Sequence, residues 1–208
     1  MPLTDPLQDL SLLTEMRNGD ARAFEKLYRQ HQGSLYRFAL LRSGSPDTAA
    51  DIVQEIFLAL LNDSLKFDPT RGALQGFLFG VARNLLLKQN EINRRHPSIA
   101  PTTDDDDTEA DIADSSPTPL QRLLENETAE QVRTALQQIA PHYRDVLILY
   151  EMHDLSYVDI AQICGIDLGT VRSRLSRART KLHDLLLSDI VMPREAVVDS
   201  TFRNKVHL

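Results

Sequence analysis

The stretch from Ser156 to Leu186 constrains the fold most, because its residues predict two short helices joined by a tight turn. Ser156 is followed three residues later by Asp159, which is the spacing of a capping box at a helix start. Gly165 predicts the end of this first helix, since glycine readily adopts the positive φ of a helix C-terminus. Asp167 can cap the second helix. The pattern is typical of a helix-turn-helix, whose second helix enters the DNA major groove.

The second of these helices has an apolar side and a basic side. Four apolar residues recur at intervals of three or four and therefore share one face. No acidic residue interrupts the helix between Asp167 and Asp184. An amphipathic surface helix with solvated arginines is the alternative, but the agreement of cap, turn, apolar seam and basic face favours DNA binding. The apolar residues are Val171, Leu175, Ala178 and Leu182.

The net charge of −7 is unusual for a DNA-binding chain, so its distribution matters. Residues 96–127 carry nine acidic residues and one basic residue. Residues 1–95 carry eleven acidic and twelve basic residues, and residues 128–187 carry seven of each. The negative balance therefore lies in the middle of the chain, and both flanking parts can present basic faces.

The length of 208 residues fits one large or two small domains. The sequence has no apolar run of transmembrane length and no signal-peptide pattern at its start, which predicts a cytoplasmic protein. The single cysteine, Cys164, is incompatible with an internal disulfide or a multi-cysteine zinc site. Its place beside the turn glycine favours a small buried side chain over a redox role.

Helical periodicity and helix-boundary residues predict an all-α chain with two small helical domains, a flexible linker and a tail. Asp20 and Ser45–Pro46 each indicate a helix start in the first domain. Acidic, proline-containing sequence predicts the linker, because it cannot bury enough apolar area to order itself. The boundaries are residues 1–95 for the first domain, 96–118 for the linker, 119–187 for the helix-turn-helix domain and 188–208 for a tail of unknown role. Predicted helices outside the helix-turn-helix cover residues 9–17, 20–42, 46–61, 74–95 and 119–139, with another starting at residue 141.

Three segments, in this order, resemble those of bacterial extracytoplasmic-function (ECF) sigma factors. Residues 50–61, ADIVQEIFLALL, are similar to the family's core polymerase-binding helix, which carries an Asp-x-x-Gln-x-x-Phe pattern. Residues 67–89 resemble the segment that melts and reads the minus-ten promoter element, and residues 155–182 resemble the reader of the minus-thirty-five element. The resemblance implies a sigma factor that binds core RNA polymerase and directs promoter-specific initiation, with no catalytic site and no cofactor of its own.

In the first segment, the resemblance places core-polymerase contacts at Asp51, Gln54 and Phe57, which match the family pattern. Glu55 shares one helical surface with Asp51 and Gln54, opposite the apolar side. An acidic, amide-bearing patch suits a basic helical partner, and in this family that partner is the coiled coil of the largest-subunit clamp. Without the resemblance, a solvated helix face is an equal alternative.

The minus-ten segment contains the residue types that strand opening needs, namely aromatic rings for stacking, polar groups for a flipped base and cations for phosphates. Family members commonly have Trp, Tyr and a basic residue where this chain has Phe77, Phe79 and Gly80. Phe77 and Phe79 therefore have core packing as an alternative role. The candidate residues for minus-ten DNA are Lys66, Arg71, Phe77, Phe79, Arg83, Asn84 and Lys88.

The recognition helix supplies the candidates for minus-thirty-five DNA. Arginine can bond bidentately to guanine, and the residues expected nearest the base edges are Arg172, Ser173, Ser176 and Arg177. Phosphate contacts are expected from Arg174, Arg179 and Lys181, and Thr170 lies in the first turn of the same helix. For any single arginine, base contact and phosphate contact both remain open.

Other roles remain open at this level. The acidic linker is either a solvated tether or, as the resemblance implies, a nucleic-acid mimic that threads the basic cleft of the polymerase. The runner-up function for the chain is a stand-alone helix-turn-helix regulator, which would bind duplex DNA tightly without polymerase. An enzyme is poorly supported, because the histidines lack metal-ligand spacing and no Gly-rich phosphate loop occurs. The expected partners are core RNA polymerase and promoter DNA, an anti-sigma factor is left open, and no membrane segment is predicted.

Overall fold

The computed structural model describes residues 6–95 and 119–191, and within them it contains eight α-helices and no strand. The predicted all-α fold is confirmed. The predicted linker, residues 96–118, lies outside the described residues. The helices are α1 (Pro6–Arg17), α2 (Ala21–Ser43), α3 (Pro46–Leu61), α4 (Leu74–Arg95), α5 (Pro119–Gln138), α6 (Pro141–Glu151), α7 (Tyr157–Cys164) and α8 (Leu168–Val191), with a short 3₁₀ turn at Pro69–Arg71 before α4.

Side-chain caps begin α2 and α3 of the first domain at the residues that the sequence predicts. The Asp20 carboxylate accepts a hydrogen bond from the backbone N–H of Arg22 at 2.8 Å and caps α2. Ser45 Oγ accepts from the backbone N–H of Thr48 at 3.2 Å, and Pro46 occupies the first turn of α3. These caps satisfy backbone donors that a helix start leaves without partners.

The first domain packs α1, α3 and α4 around the long helix α2. Leu27 and Phe38 of α2 are fully buried, as are Ile56 of α3 and Leu78 of α4. Removing these side chains from water supplies the main favourable free energy of folding. This packing fixes which sides of α3 and α4 remain at the surface.

The second domain packs α5, α6 and α7 against α8. Its core includes Leu136, Ile148, Ile160 and Leu175, all of them at most 3% exposed. The last helix, α8, continues past residue 187, where the sequence predicts the end of the domain. Residues 192–208 of the predicted tail lie outside the described residues.

The two domains pack directly against each other, which the sequence does not indicate. Helix α2 contacts α5 and α6, and α4 contacts α7. Buried apolar side chains from both domains join in one continuous cluster. One side of α4 therefore faces the second domain instead of solvent.

Candidate nucleic-acid interface

The turn between α7 and α8 is fixed by short-range hydrogen bonds. Ser156 and Asp159 form the reciprocal capping box predicted from their spacing. Gly165 ends α7 in the left-handed conformation, with φ 65°, which glycine tolerates best. The Asp167 carboxylate accepts from the backbone N–H and the hydroxyl of Thr170, at 2.8 and 2.6 Å, and these bonds lower its pKa. The start of α8 is thus held rigidly.

Helix α8 places its apolar residues inward and its basic residues outward, as the sequence predicts. Val171, Leu175 and Ala178 are at most 1% exposed and face the other helices of the domain. Leu182 is half-buried at the edge of the same seam. The outer face presents Arg172, Ser173, Ser176, Arg177, Arg179 and Lys181 as exposed residues, while Arg174 and Thr170 are half-buried at its margin.

Two arginines of this outer face are oriented by side chains of α6. Arg177 donates to the Tyr143 hydroxyl at 3.3 Å. Arg179 pairs with the Glu151 carboxylate at 2.6–2.7 Å, and its guanidinium lies 5.1 Å from the centre of the Tyr150 ring. The bond to Glu151 raises the pKa of Arg179, so its positive charge is retained. The sequence pattern missed these partners, because they lie on another helix.

The single cysteine is buried behind this surface. Cys164 is 8% exposed, and burial raises the pKa of its thiol to about 11. A protonated, enclosed thiol is a poor nucleophile, which agrees with the packing role expected from its sequence position.

The minus-ten candidates on α4 divide between two sides of the helix. Phe77, Asn84 and Lys88 are spaced by seven and four residues and lie on the outer side, where Asn84 and Lys88 are exposed. The half-buried Phe77 ring lies 5.5 Å from that of Phe67 in the preceding loop. In the same loop Lys66 and Arg71 are exposed. This outer side is open to a ligand.

Phe79 and Arg83 lie on the opposite side of α4 and face the second domain. The Phe79 ring is fully buried, 5.4 Å from the ring of Phe38 and 4.6 Å from the ring of His153. Arg83 Nε donates to Asp145 Oδ2 of α6 at 2.9 Å. Phe79 therefore packs in the core, which is the alternative role that the sequence left open for it.

Asp145 and His153, which contact Arg83 and Phe79 from the second domain, were not among the candidate site residues predicted from the sequence. One sequence signal for this contact was present, because Arg42, which also donates to Asp145, follows Leu35 and Phe38 at helical spacing and interrupts the apolar side of α2. Asp145 likewise directly precedes the apolar run that starts at Val146. A charge on a buried helix face needs a partner, since an unpaired buried charge is strongly unfavourable.

The surface of α3 presents the core-polymerase candidates. Asp51, Gln54 and Glu55 are exposed, whereas Phe57 is 3% exposed and packs edge-on against Phe24, with ring centres 6.1 Å apart. An apolar groove between α2 and α3 runs beside them. Its exposed apolar side chains are Tyr28, Leu58 and Leu61.

Comparison with known proteins places both halves of the chain in one family. The family model for Sigma-70 region 2 matches residues 27–95, which include α3 and α4. The model for Sigma-70 region 4 matches residues 129–182, which include the helix-turn-helix. The ECF RNA polymerase sigma factor EcfG of Rhodopseudomonas palustris is 34% identical over 193 residues, which cover 91% of this chain and 90% of that protein. The chain belongs to the ECF RNA polymerase sigma factors.

Two further comparisons agree with this family membership. The ECF sigma factor SigE of Mycolicibacterium smegmatis is 31% identical over 164 residues, covering 79% of this chain and 62% of the longer SigE. The chain thus spans less than two thirds of that relative. The solved structure of the sigma factor RpoE in complex with the anti-sigma factor NepR, from Bartonella quintana, has a TM-score of 0.60 and 26% identity, covering 81% of this chain and 99% of that chain.

Membership in this family supports a sigma factor of transcription initiation and does not favour the stand-alone regulator. The family consists of initiation factors and is not a known enzyme family. Among the described residues no three metal-binding side chains come together, and no described helix is long and apolar enough to cross a membrane. The individual contact residues stay predictions.

Proposed function

We propose that this ECF sigma factor directs initiation through three separate surfaces. The outer face of α8 binds the minus-thirty-five element, α4 with its preceding loop captures the unpaired minus-ten strand, and α3 docks on core polymerase. The observation that carries the proposal is the exposed basic face of α8 on a rigidly capped helix-turn-helix.

The outer face of α8 suits the major groove of duplex DNA. Its buried seam keeps the helix fixed while Arg172, Ser173 and Ser176 remain exposed for base edges. Lys181 and Arg179 lie further along the helix and suit phosphates. Each such phosphate contact releases a counterion and makes binding weaker at higher salt.

The outer side of α4 suits an unpaired strand. The rings of Phe67 and Phe77 form an aromatic pair, and Asn84 and Lys88 supply an amide and a cation beside it. Sequence-tolerant stacking together with cations along the backbone is the usual basis of single-strand binding. Lys66 and Arg71 in the preceding loop extend the basic surface, and Lys66 donates to the Asp63 carboxylate.

The surface of α3 suits a protein partner. Gln54 lines both the exposed polar patch and the apolar groove between α2 and α3. A polar patch next to exposed Leu58 and Leu61 has the mixed composition of a protein interface. The ring of Phe57 is buried, so it contributes to this protein interface indirectly, by shaping the floor of the groove.

In this role the sigma factor performs no chemistry itself, since the polymerase joins the nucleotides. A cytoplasmic location follows from the same role, because the bacterial polymerase and its template are there. An anti-sigma protein is a further expected partner, supported by the likeness to RpoE, which was solved with one bound.

Transcription in vitro with purified core polymerase tests the proposal. The full chain should direct specific starts from its own promoters, which genomic fragments and start-site mapping identify. Replacing Arg172 and Arg177 together with Ala should abolish those starts, while Lys26→Ala, which removes an exposed cation from α2, should leave them unchanged. Absence of any directed start with the unaltered chain would refute the proposal.

Core binding can be separated from DNA binding in the same assay. Gln54→Ala with Glu55→Arg should weaken co-purification with core polymerase, whereas Glu91→Arg, an exposed acid of α4, serves as the charge-matched control. A stand-alone regulator would instead bind duplex DNA tightly without polymerase and show no dependence on α3.

A further inference from the structure

The loop between α3 and α4, residues 62–73, is tied to the end of α1. Arg17, the last residue of α1, pairs through Nη2 with Asp63 Oδ1 at 2.9 Å and donates to the Leu65 carbonyl at 3.4 Å. Its neighbour Met16 is 5% exposed, so this end of α1 is fixed in the apolar core. Arg17 therefore connects the loop to the core of the first domain.

The Asp63 carboxylate is shared between two cations. Its Oδ1 atom faces Arg17, and its Oδ2 atom accepts from Lys66 Nζ. The bond to Lys66, with the charge of Arg17 acting in the same direction, lowers the pKa of this carboxyl. The carboxylate is thus ionised near pH 7 and orients both cations. Lys66 is a candidate for minus-ten DNA, so Arg17 and Asp63, which we call the loop anchor, link α1 to that contact.

The backbone at Asp63 adopts a conformation that favours glycine. Helix α3 ends in a Schellman motif, in which the Ser64 N–H donates to the Ala59 carbonyl at 2.9 Å. In the same motif the Asp63 N–H donates to the Leu60 carbonyl at 3.2 Å, and Asp63 is left-handed with φ 50°. Glycine is the usual residue at this position, as Gly165 is at the end of α7. An aspartate tolerates the conformation less well, so what it adds there is its carboxylate.

The anchored loop presents candidate residues for the unpaired strand in a defined shape. The ring of Phe67 lies 5.5 Å from that of Phe77 in α4. The Asp68 carboxylate accepts from the backbone N–H and the hydroxyl of Thr70, at 3.0 and 2.6 Å, and shapes the 3₁₀ turn that ends at Arg71. A contact that is held in place before binding loses less conformational entropy when the ligand arrives.

We propose that the loop anchor positions the loop for minus-ten recognition, so that Lys66 and Phe67 meet the unpaired strand in one arrangement. This inference rests on the proposed strand-capturing role of α4 and its preceding loop. The side chains of Arg17 and Asp63 are 36% and 47% exposed, so water screens their attraction and the pair adds little to stability. Its effect therefore falls on discrimination between promoter sequences, which depends on where the contacts lie.

Initiation with core polymerase and the full chain measures this discrimination. The templates are a promoter identified by start-site mapping and a set with single changes in its minus-ten element. The ratio of initiation rates on unaltered and changed templates should fall about fivefold in Arg17→Ala and in Asp63→Gly, the effect of misplacing one hydrogen-bonded contact. The double variant should lose no more than either single variant, since the two residues act as one pair.

The two variants separate positioning from charge and from folding. Arg17→Ala removes a positive charge and Asp63→Gly removes a negative one, so a purely electrostatic role would change discrimination in opposite directions. Glycine fits the left-handed position, so Asp63→Gly should retain or gain resistance to urea while its discrimination falls. Asp63→Asn tolerates the same φ and keeps an acceptor oxygen for Arg17, so it should recover part of the discrimination.

An exposed ion pair of the same type within α2 supplies matched controls. Arg29 Nη2 lies 2.7 Å from Glu25 Oε1, and Arg29→Ala and Glu25→Ala should keep the discrimination of the unaltered chain. Opposite shifts in Arg17→Ala and Asp63→Gly, or a loss of discrimination that parallels a loss of stability, would overturn the proposal. Directed starts with unchanged discrimination in both variants would reject positioning by the loop anchor and leave the sigma function intact, whereas no directed start by the unaltered chain would refute both.

Discussion

Helices α8 and α4 are both expected to contact promoter DNA, but their surroundings differ. The basic face of α8 is exposed, and the side chains that orient its arginines come from α6 of the same domain. The candidates on α4 are divided, with Asn84 and Lys88 exposed and Phe79 and Arg83 covered by the second domain. A residue's availability to DNA thus depends on which neighbour covers it, even where residue type and periodicity are alike.

Arginine–carboxylate pairs have two different uses in this fold. Arg179 and Glu151 have side chains 50% and 42% exposed, so water screens their attraction. Arg42 and Asp145 are almost completely buried, so each needs the other in place. The exposed pair orients an arginine of the recognition helix, and the buried pair holds two domains together.

Breaking the two pairs should give very different losses of stability. Arg42→Ala leaves Asp145 with less compensation in buried surroundings and should lower the free energy of unfolding by about 3–5 kcal/mol. Arg179→Ala should produce no measurable change, since both partners remain hydrated. Urea denaturation of the full chain, followed by circular dichroism, measures both. Equal losses of stability in the two variants would contradict the view that the exposed pair only orients an arginine whereas the buried pair holds the two domains together.

The two phenylalanines of α4 offer a second contrast. Phe79→Ala removes a fully buried ring and should lower the free energy of unfolding by about 3 kcal/mol or more. Phe77→Ala removes a half-buried ring at the open side, so it should reduce strand binding more than stability. Denaturation and oligonucleotide anisotropy on the same samples compare them. A Phe77→Ala chain that loses as much stability as Phe79→Ala would place both rings in the core.

Single substitutions on α8 should give intermediate effects. Arg172→Ala should relax discrimination at one promoter position by about 1–3 kcal/mol if the side chain bonds a base. Lys181→Ala should weaken binding uniformly across sequences and reduce the salt dependence by about one counterion. Initiation from promoters with single changes in the minus-thirty-five element, over a range of salt concentrations, distinguishes the two residues. A uniform loss for Arg172→Ala would assign it to a phosphate instead.

Acidification should weaken the contact between the two domains more than it affects the basic face of α8. In the folded chain burial lowers the pKa of His153 from 6.5 to about 4, with Arg37 acting in the same direction and Asp154 opposing it. Above pH 6.5 the ring is neutral in both the folded and the unfolded chain, and as the pH falls towards 4 the unfolded chain gains a proton first. The free energy of unfolding, measured by urea denaturation, should therefore fall modestly between pH 7 and pH 5. His153→Phe should remove the dependence if this ring is its source.

Local sequence signals predicted the helices and the helix-turn-helix because their causes lie within a few residues. Ser156 and Asp159 cap the same turn, and Asp167 bonds Thr170 three residues later. The inward and outward sides of α8 followed from helical periodicity in the same way. The sigma-factor assignment followed from three such segments in order, and the family comparisons confirm it.

Only the tertiary structure decided which side of α4 is open. Arg42 and Asp145 are 103 residues apart in sequence, and no periodicity links them. Their pairing depends on how two separately patterned domains pack, so each residue alone indicates only an unexplained charge on an apolar face. The sequence by itself determined the helices, their inward faces and the family, because those depend on neighbours along the chain. The tertiary structure decided that Phe79 and Arg83 are covered, because a contact between domains places together residues that share no local pattern.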